Sequence, residues 1–388
     1  MPKHVDVCII GGGTIGSSIA YYLSKTGLKV LLIEKNSIGS GSARANFGLV
    51  TAQLFKYFKS IHPEYFALKV MSLEIYTELE RELQADIEYR KTGGLVVIKT
   101  EKELEEKKKL VRTLRSKGLE IHLLSREETL ELEPVLYHDI LGASYCPDES
   151  EVNPLRVAGS FIKAGRKNGL EVMENTPALS FLIEGNRVSA VRIPGGNITV
   201  NWVVNAGGAW APDIAAKAGV EIPMSLQRGQ LLVTDSVPRM LNRAVQHIPV
   251  VEVDDKQRNV VLSEEIRQMR SGNLIIGGTR EYEKYSLDTT FEGITDIARR
   301  AVTLVPKLRE TNIIRTFSGI RNIPVDGFPV LGFADQLSGW VNAVCHAGIG
   351  LAPAVGQLTA DLITKGRTSL CLDPFNIRRF KSARVSEE

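Results

Sequence analysis

Cysteine is scarce in this 388-residue chain, and its placement excludes more than its number does. Cys8, Cys146, Cys345 and Cys371 stand apart with no C-x-x-C among them, which argues against a redox dithiol, a zinc ribbon or a cysteine-ligated cluster within the chain. Charge of one sign is missing too. The 48 basic and 45 acidic residues leave a net charge of +3, which gives no footprint for nucleic acid or another polyanion. No apolar run is long enough to span a bilayer, and the first residues lead directly into an apolar strand rather than a leader peptide. A cytoplasmic protein is therefore expected, one that reaches the inner face of a membrane only through partners. Repeats and low-complexity tracts are absent. His122 with Glu127, Glu128, Glu131 and Glu133 lacks metal-ligand spacing, and no metal is expected. What remains, 43% hydrophobic and 24% charged, is the composition of a soluble globular protein. Its length fits two domains, or one domain with a large insertion.

The chain is organised around Val5 to Glu34. Val5, Val7, Cys8, Ile9 and Ile10 form β-prone sequence; Ile15, Ile19, Tyr22 and Leu23 recur at helical spacing; Gly27 stops the helix; and Val30 to Ile33 return as a second buried strand. Between the first strand and the helix lie Gly11, Gly13 and Gly16. They permit, in order, a tight turn, the approach of a pyrophosphate to the backbone, and close packing of helix on strand. The helix N-terminus then offers free N–H groups and a positive dipole end. Glu34 closes the second strand, where a carboxylate accepts hydrogen bonds from a ribose and repels a 2′-phosphate. This predicts dinucleotide binding, disfavours NADP, and leaves NAD and FAD both open.

Ser37 to Phe47 is a loop of small residues suited to a phosphate or a polyol chain. Phe66 to Leu83 reads as an amphipathic helix, Gly94 to Lys99 as a strand, and Glu101 to Lys117 as a helix whose run Glu105 to Lys109 is a solvated face. Leu179 to Ile183, Val188 to Ile193 and Val200 to Asn205 predict a meander with turns at Gly185-Asn186 and Gly195-Gly196. The last strand runs into Ala206-Gly207-Gly208-Ala209-Trp210, a second approach of backbone to the cofactor. Pro223 to Phe317 is mostly β with one helix, and Gln227 to Gln230 and Gly277-Gly278 are expected at the lip of a site. Trp340 to Val344 predicts a strand leading into His346-Ala347-Gly348-Ile349-Gly350-Leu351-Ala352-Pro353, with Pro353 in the first turn of the helix that follows.

With these residues in view, the chain resembles the FAD-dependent D-amino-acid oxidase (DAO) family, which includes glycine oxidase and sarcosine oxidase. The resemblance runs nearly end to end. It rests on Gly11 to Gly16 with Glu34, on Ala206 to Trp210, on Arg228-Gly229-Gln230, on Gly319-Ile320-Arg321 with Asp326-Gly327, and on His346 to Pro353. More narrowly, Ser42 to Val50 and the unbroken Gly348 to Pro353 look like the β-type subunits of heteromeric, dye-linked L-proline or D-hydroxyproline dehydrogenases and opine oxidases.

The resemblance implies an α/β fold: a Rossmann-like, GR2-type FAD-binding domain with a discontinuous α+β substrate domain built on an antiparallel sheet. It divides the chain into residues 1–85, 147–215 and 322–388 for FAD, and 86–146 and 216–321 for substrate. It implies non-covalent FAD on Gly11, Gly13, Ile15, Gly16, Glu34 and Lys35, on Ser42, Arg44, Asn46, Gly48 and Leu49, and on Ala178, Ala206, Gly207 and Trp210. Gly348, Ile349, Gly350 and Leu351 would supply donors to the flavin at the start of the last helix. Arg321 matches the family's carboxylate-binding arginine, although Asn322 stands where many relatives have proline, and His346 is expected near flavin or substrate. The implied reaction is oxidation of the Cα–N bond of an amino or imino acid by hydride transfer to flavin, with electrons passing to α-type and small ferredoxin-like subunits. An FMN or iron–sulfur cluster would belong to those partners or to an interface with them. Sarcosine-oxidase relatives carry an oxygen-activating lysine on the strand that here reads Leu274 to Gly277. Its absence favours a dehydrogenase. The alternatives are a self-sufficient glycine or D-amino-acid oxidase that makes hydrogen peroxide, and a non-catalytic FAD relay subunit.

Overall fold

The computed structural model describes residues 2–54, 61–248, 260–282 and 285–380. The chain opens with β1 (His4–Ile10), α1 (Thr14–Ser24), β2 (Val30–Ile33), the short β3 (Leu49–Val50) and the long α2 (Pro63–Leu83). A first excursion follows: β4 (Gly94–Ile98), α3 (Glu101–Ser116), β5 (His122–Leu124), α4 (Arg126–Leu132) and β6 (Gly142–Cys146). The chain returns through β7 (Ser150–Glu151), α5 (Pro154–Arg166), β8 (Glu171–Met173), β9 (Ser180–Glu184), β10 (Arg187–Ile193), β11 (Gly196–Asn205) and α6 (Ala211–Ala216). A second excursion carries β12 (Met224–Ser236), β13 (Ala244–His247), β14 (Val260–Gln268), β15 (Asn273–Glu281), α7 (Phe291–Leu304) and β16 (Ile313–Pro324). β17 (Val330–Phe333), β18 (Trp340–Val344) and α8 (Gly348–Lys365) complete the fold.

Two sheets result. The first runs β17-β18-β11-β1-β2-β8, with the β10–β9 hairpin attached to β11. Its centre is parallel, β1 lying between β11 and β2. Strands covered on both faces read as continuous apolar sequence, which is why β2 is buried at every position. The second sheet runs β16-β12-β15-β14-β13-β4-β6-β5 and draws all its strands from the two excursions. It is antiparallel except where β13 meets β4. Capping boxes, readable as Thr100 with Glu103 and Ser125 with Glu128, start α3 and α4. In the run Glu105 to Lys109 of α3, Glu105, Glu106 and Lys109 are exposed, while the ammonium of half-buried Lys107 is desolvated until its pKa falls to about 8, against the pull of Glu149, Glu103 and Glu106.

The start of α8 corrects the sequence reading. Pro353 lies inside the helix, which begins at Gly348. Proline cannot donate to the carbonyl four residues earlier. That carbonyl belongs to Ile349, and the buried Tyr76 hydroxyl of α2 donates to it at 2.6 Å. A tertiary contact supplies the bond that proline withholds, so the helix runs a turn further back than its sequence implies. No helix among the described residues is long and apolar enough to cross a membrane.

Candidate functional site

Two helix N-termini open on one cavity. At the end of β1, Gly11 turns with φ +112°, and a Cβ there would lie 2.4 Å from the Ala206 carbonyl oxygen. Only glycine accepts both the left-handed angle and the close approach. Beneath it Gly16 packs α1 onto the Gly11 carbonyl, where a Cβ would lie 2.0 Å from the oxygen. The N-caps of α1 and α8, Gly13 and Ala347, provide no side-chain cap, and neither first turn holds an acidic residue. Each helix therefore presents its leading N–H groups and positive dipole end to whatever fills the space. That space is a cavity of ≈ 610 Å³, with Gly13 and Ile15 from α1 and Gly348 and Ile349 from α8 in its wall.

Glu34 reaches the same wall and accepts from the backbone N–H of Gly12 at 2.7 Å and of Asn36 at 2.9 Å. Each carboxylate oxygen keeps a lone pair for a ribose hydroxyl. Lys35 lies with Nζ 3.3 Å from the Trp210 ring centroid, and the Tyr285 ring meets Trp210 at 5.3 Å. Burial lowers the Lys35 pKa, with Glu34 and Asp213 opposing. Ser42, Arg44 and Asn46 from the small-residue loop, with Ala178, Ala206 and Gly207, complete the expected part of the wall. The donor set fits FAD: uncapped helix ends for the pyrophosphate and the electron-rich flavin edge, and an acid for the ribose.

Five expected residues are not brought to this wall. Gly16 is the packing glycine already described. Gly48, at φ +75°, faces the Val152 carbonyl and the Arg267 guanidinium. Leu49 lines a neighbouring pocket, Gly350 packs near the Leu49 backbone, and Leu351 is in the core.

The neighbouring pocket is smaller, ≈ 200 Å³, and meets the first at Ser42, Asn46, Asn322 and His346. Arg321 lies in its wall. The Arg321 side chain crosses β12 over Gly229, where a Cβ would sit 2.2 Å from Nη1, and donates to the Thr279 carbonyl at 3.1 Å. β12 and β15 are fixed on either side of this crossing. Buried Arg228 pairs with Glu281, which also accepts from Gln230 at 2.7 Å and from Thr279. The Arg228-Gly229-Gln230 motif thus has two structural parts: its ends bind Glu281, and its glycine leaves room for the guanidinium. Asn322, the departure from the family's proline, donates to the Cys345 carbonyl at 3.2 Å and ties β16 to the segment carrying His346. Ser42 donates to the Ile320 carbonyl at 2.5 Å and closes the other side.

Sequence reasoning missed Lys69, Gln246, Glu265 and Arg280 in this pocket. They come from α2, β13, β14 and β15 and share no local pattern; the strand order brings Gln246, Glu265 and Arg280 together, and Lys69 enters from the helix. Apolar Phe47, Leu49, Leu54 and Leu231 fill the remaining wall.

The comparisons with known proteins agree with this geometry. The family described as DAO, FAD dependent oxidoreductase, matches residues 6–362. The chain is 30% identical over 427 residues to the hydrogen cyanide synthase subunit HcnC of Pseudomonas protegens, covering 100% of this chain and 99% of that protein. It is 26% identical to an opine oxidase subunit of Rhizobium meliloti, covering 97% of this chain and 98% of that protein. The crystal structure of L-proline dehydrogenase from P. horikoshii superposes with a TM-score of 0.89 at 27% identity over 99% of both chains. Glycine oxidase from Geobacillus kaustophilus does so with 0.88 at 27% identity, over 97% of this chain and 99% of that one. A glycine turn, two open helix ends and a neighbouring arginine pocket in one continuous match leave one conclusion: the chain belongs to the DAO family of FAD-dependent oxidoreductases.

Proposed function

We propose that this protein is an amino-acid dehydrogenase subunit that oxidises the Cα–N bond of a secondary amino acid, proline-like or N-substituted, and passes the electrons to a partner. The observation that carries the reading is Arg321, held over Gly229 in a pocket that joins the cofactor cavity at His346 and Asn322. A guanidinium grips a carboxylate through two parallel hydrogen bonds and so fixes the orientation of the carbon beside it. FAD, when bound, supplies the two-electron acceptor for the hydride lost from that carbon. The open N-terminus of α8 favours negative charge nearby, and Phe47, Leu49, Leu54 and Leu231 give the pocket one apolar side. Cys345 lines the larger cavity, but burial pushes its thiol far above the usual range and keeps it protonated; this supports FAD held without a covalent bond.

The two sheets support a division into an FAD-binding part, 1–85, 147–215 and 322–388, and a substrate part, 86–146 and 216–321. Companion subunits are supported by the names of two relatives, each called a subunit of a larger enzyme. A further support is the outer edge strand β16, where Ile313 and Ile314 are exposed. A second reading, a self-sufficient oxidase, is favoured by the end-to-end likeness to glycine oxidase.

The test is anaerobic titration of the flavin-loaded chain with L- and D-proline, hydroxyprolines, glycine, sarcosine and opines, following the visible flavin band. Bleaching that persists on admitting air supports the dehydrogenase. Rapid re-colouring with peroxide supports the oxidase, and bleaching by none removes the amino-acid reading.

A further inference from the structure

The substrate pocket carries more positive charge than one carboxylate needs. Among the described residues, Arg321, Arg280 and Lys69 line it against a single carboxylate, Glu265. Lys69 donates to the Leu54 carbonyl at 2.6 Å. Arg280 is different. Its side chain is 12% exposed, and its buried Nη2 has no hydrogen-bond partner among the described residues. The nearby carboxylate oxygen, Glu265 Oε1, is 3.9 Å away, beyond hydrogen-bond reach. Glu265 is already engaged, accepting from Ser263 at 3.0 Å and from Gln246 at 3.1 Å. Arg321 donates to the carbonyl of Thr279, the residue preceding Arg280, and both arginines line the same pocket.

A buried guanidinium nitrogen without a hydrogen-bond partner is costly, and here Glu265 balances the charge only from 3.9 Å, which leaves Nη2 of a pocket-lining residue open to an acceptor. We infer that the substrate is a small iminodicarboxylate: a secondary amine with one carboxylate for Arg321 and a second for Arg280. This rests on the amino-acid reading above and names the substrate class within it. The pocket is small, ≈ 200 Å³ against ≈ 610 Å³ for the cofactor cavity, which favours a substrate whose two acids lie close to the nitrogen.

The test compares iminodiacetate with N-ethylglycine and sarcosine, which keep the amine and one carboxylate but lack the second. Dye-linked kcat/KM is measured on the flavin-loaded chain and on the Arg280→Gln and Arg280→Lys variants, with flavin content and melting temperature checked for each. Iminodiacetate is expected to exceed both comparators by roughly 10- to 100-fold, the range of a charged hydrogen bond. Arg280→Gln should bring the iminodiacetate-to-sarcosine ratio of kcat/KM down toward one, while Arg280→Lys restores part of it. If iminodiacetate is no better than sarcosine, or if Arg280→Gln weakens all three equally, the inference fails while the amino-acid reading stands. If nothing bleaches the flavin, both fail.

Discussion

A single methyl group at Gly229 should disable the proposed carboxylate clamp while leaving Arg321 itself unsubstituted. The Cβ of Gly229→Ala would lie 2.2 Å from Arg321 Nη1 and 2.6 Å from Cζ, so the guanidinium must leave its place. The backbone does not resist the change: Gly229 lies in β12 and is not among the positive-φ glycines. The displaced atoms are the far end of a flexible side chain, so the loss of stability should be small. What is lost is a charge-assisted contact with the substrate, about 1.5 to 3 kcal/mol, and at about 1.4 kcal/mol per tenfold this becomes roughly 10- to 100-fold in KM. Arg321→Ala should match it, and the double variant should be no worse than either single one, because both remove the same interaction. The assay is steady-state dye reduction with the best substrate from the anaerobic titration, with flavin content and melting temperature measured alongside. An unchanged KM in Gly229→Ala with full flavin content would refute the placement of Arg321 as the carboxylate ligand.

Three further perturbations follow from contacts described above or from the buried polar groups of the second sheet. Tyr76→Phe removes the donor that serves the Ile349 carbonyl, so it should cost about 1 to 3 kcal/mol of stability and weaken FAD retention through the start of α8; a melt and a flavin-release assay that both match wild type would contradict this. Gly11→Ala meets both the Ala206 carbonyl and a left-handed φ, and should yield protein with little flavin, measured by the ratio of visible to ultraviolet absorbance. The third concerns pH. Burial opposes charge on His247, but hydrogen bonds to Glu103 and Glu264, at 3.1 and 2.5 Å, outweigh it and hold the pKa above 6.5. A raised histidine pKa stabilises fully below the unfolded value and loses its contribution as pH rises through the folded one. The melting-temperature gap between wild type and His247→Gln should therefore be widest below pH 6.5 and narrow at higher pH; a gap independent of pH would exclude the charged triad.

The sequence by itself determined the dinucleotide-binding core, because that core is local. β1, Gly11, α1, β2 and Glu34 are contiguous, each with a propensity or a steric requirement visible in the residues themselves. The β9–β10–β11 meander was legible for the same reason. Arg321 could be singled out only through a family motif, since nothing beside it in the chain marks it as a ligand. The tertiary structure decided the rest. Pro353 looked like a helix start because the hydroxyl that allows it mid-helix belongs to Tyr76, far away in sequence. The second pocket was invisible because Glu265, Arg280 and Arg321 lie on three strands, adjacent only once β16, β12, β15 and β14 pair in that order, and Lys69 reaches the pocket from α2, outside the sheet. Local sequence sets φ, ψ and which face is apolar; the order of strands in a sheet is chosen by packing across the whole chain, and that order places the charges that choose a substrate.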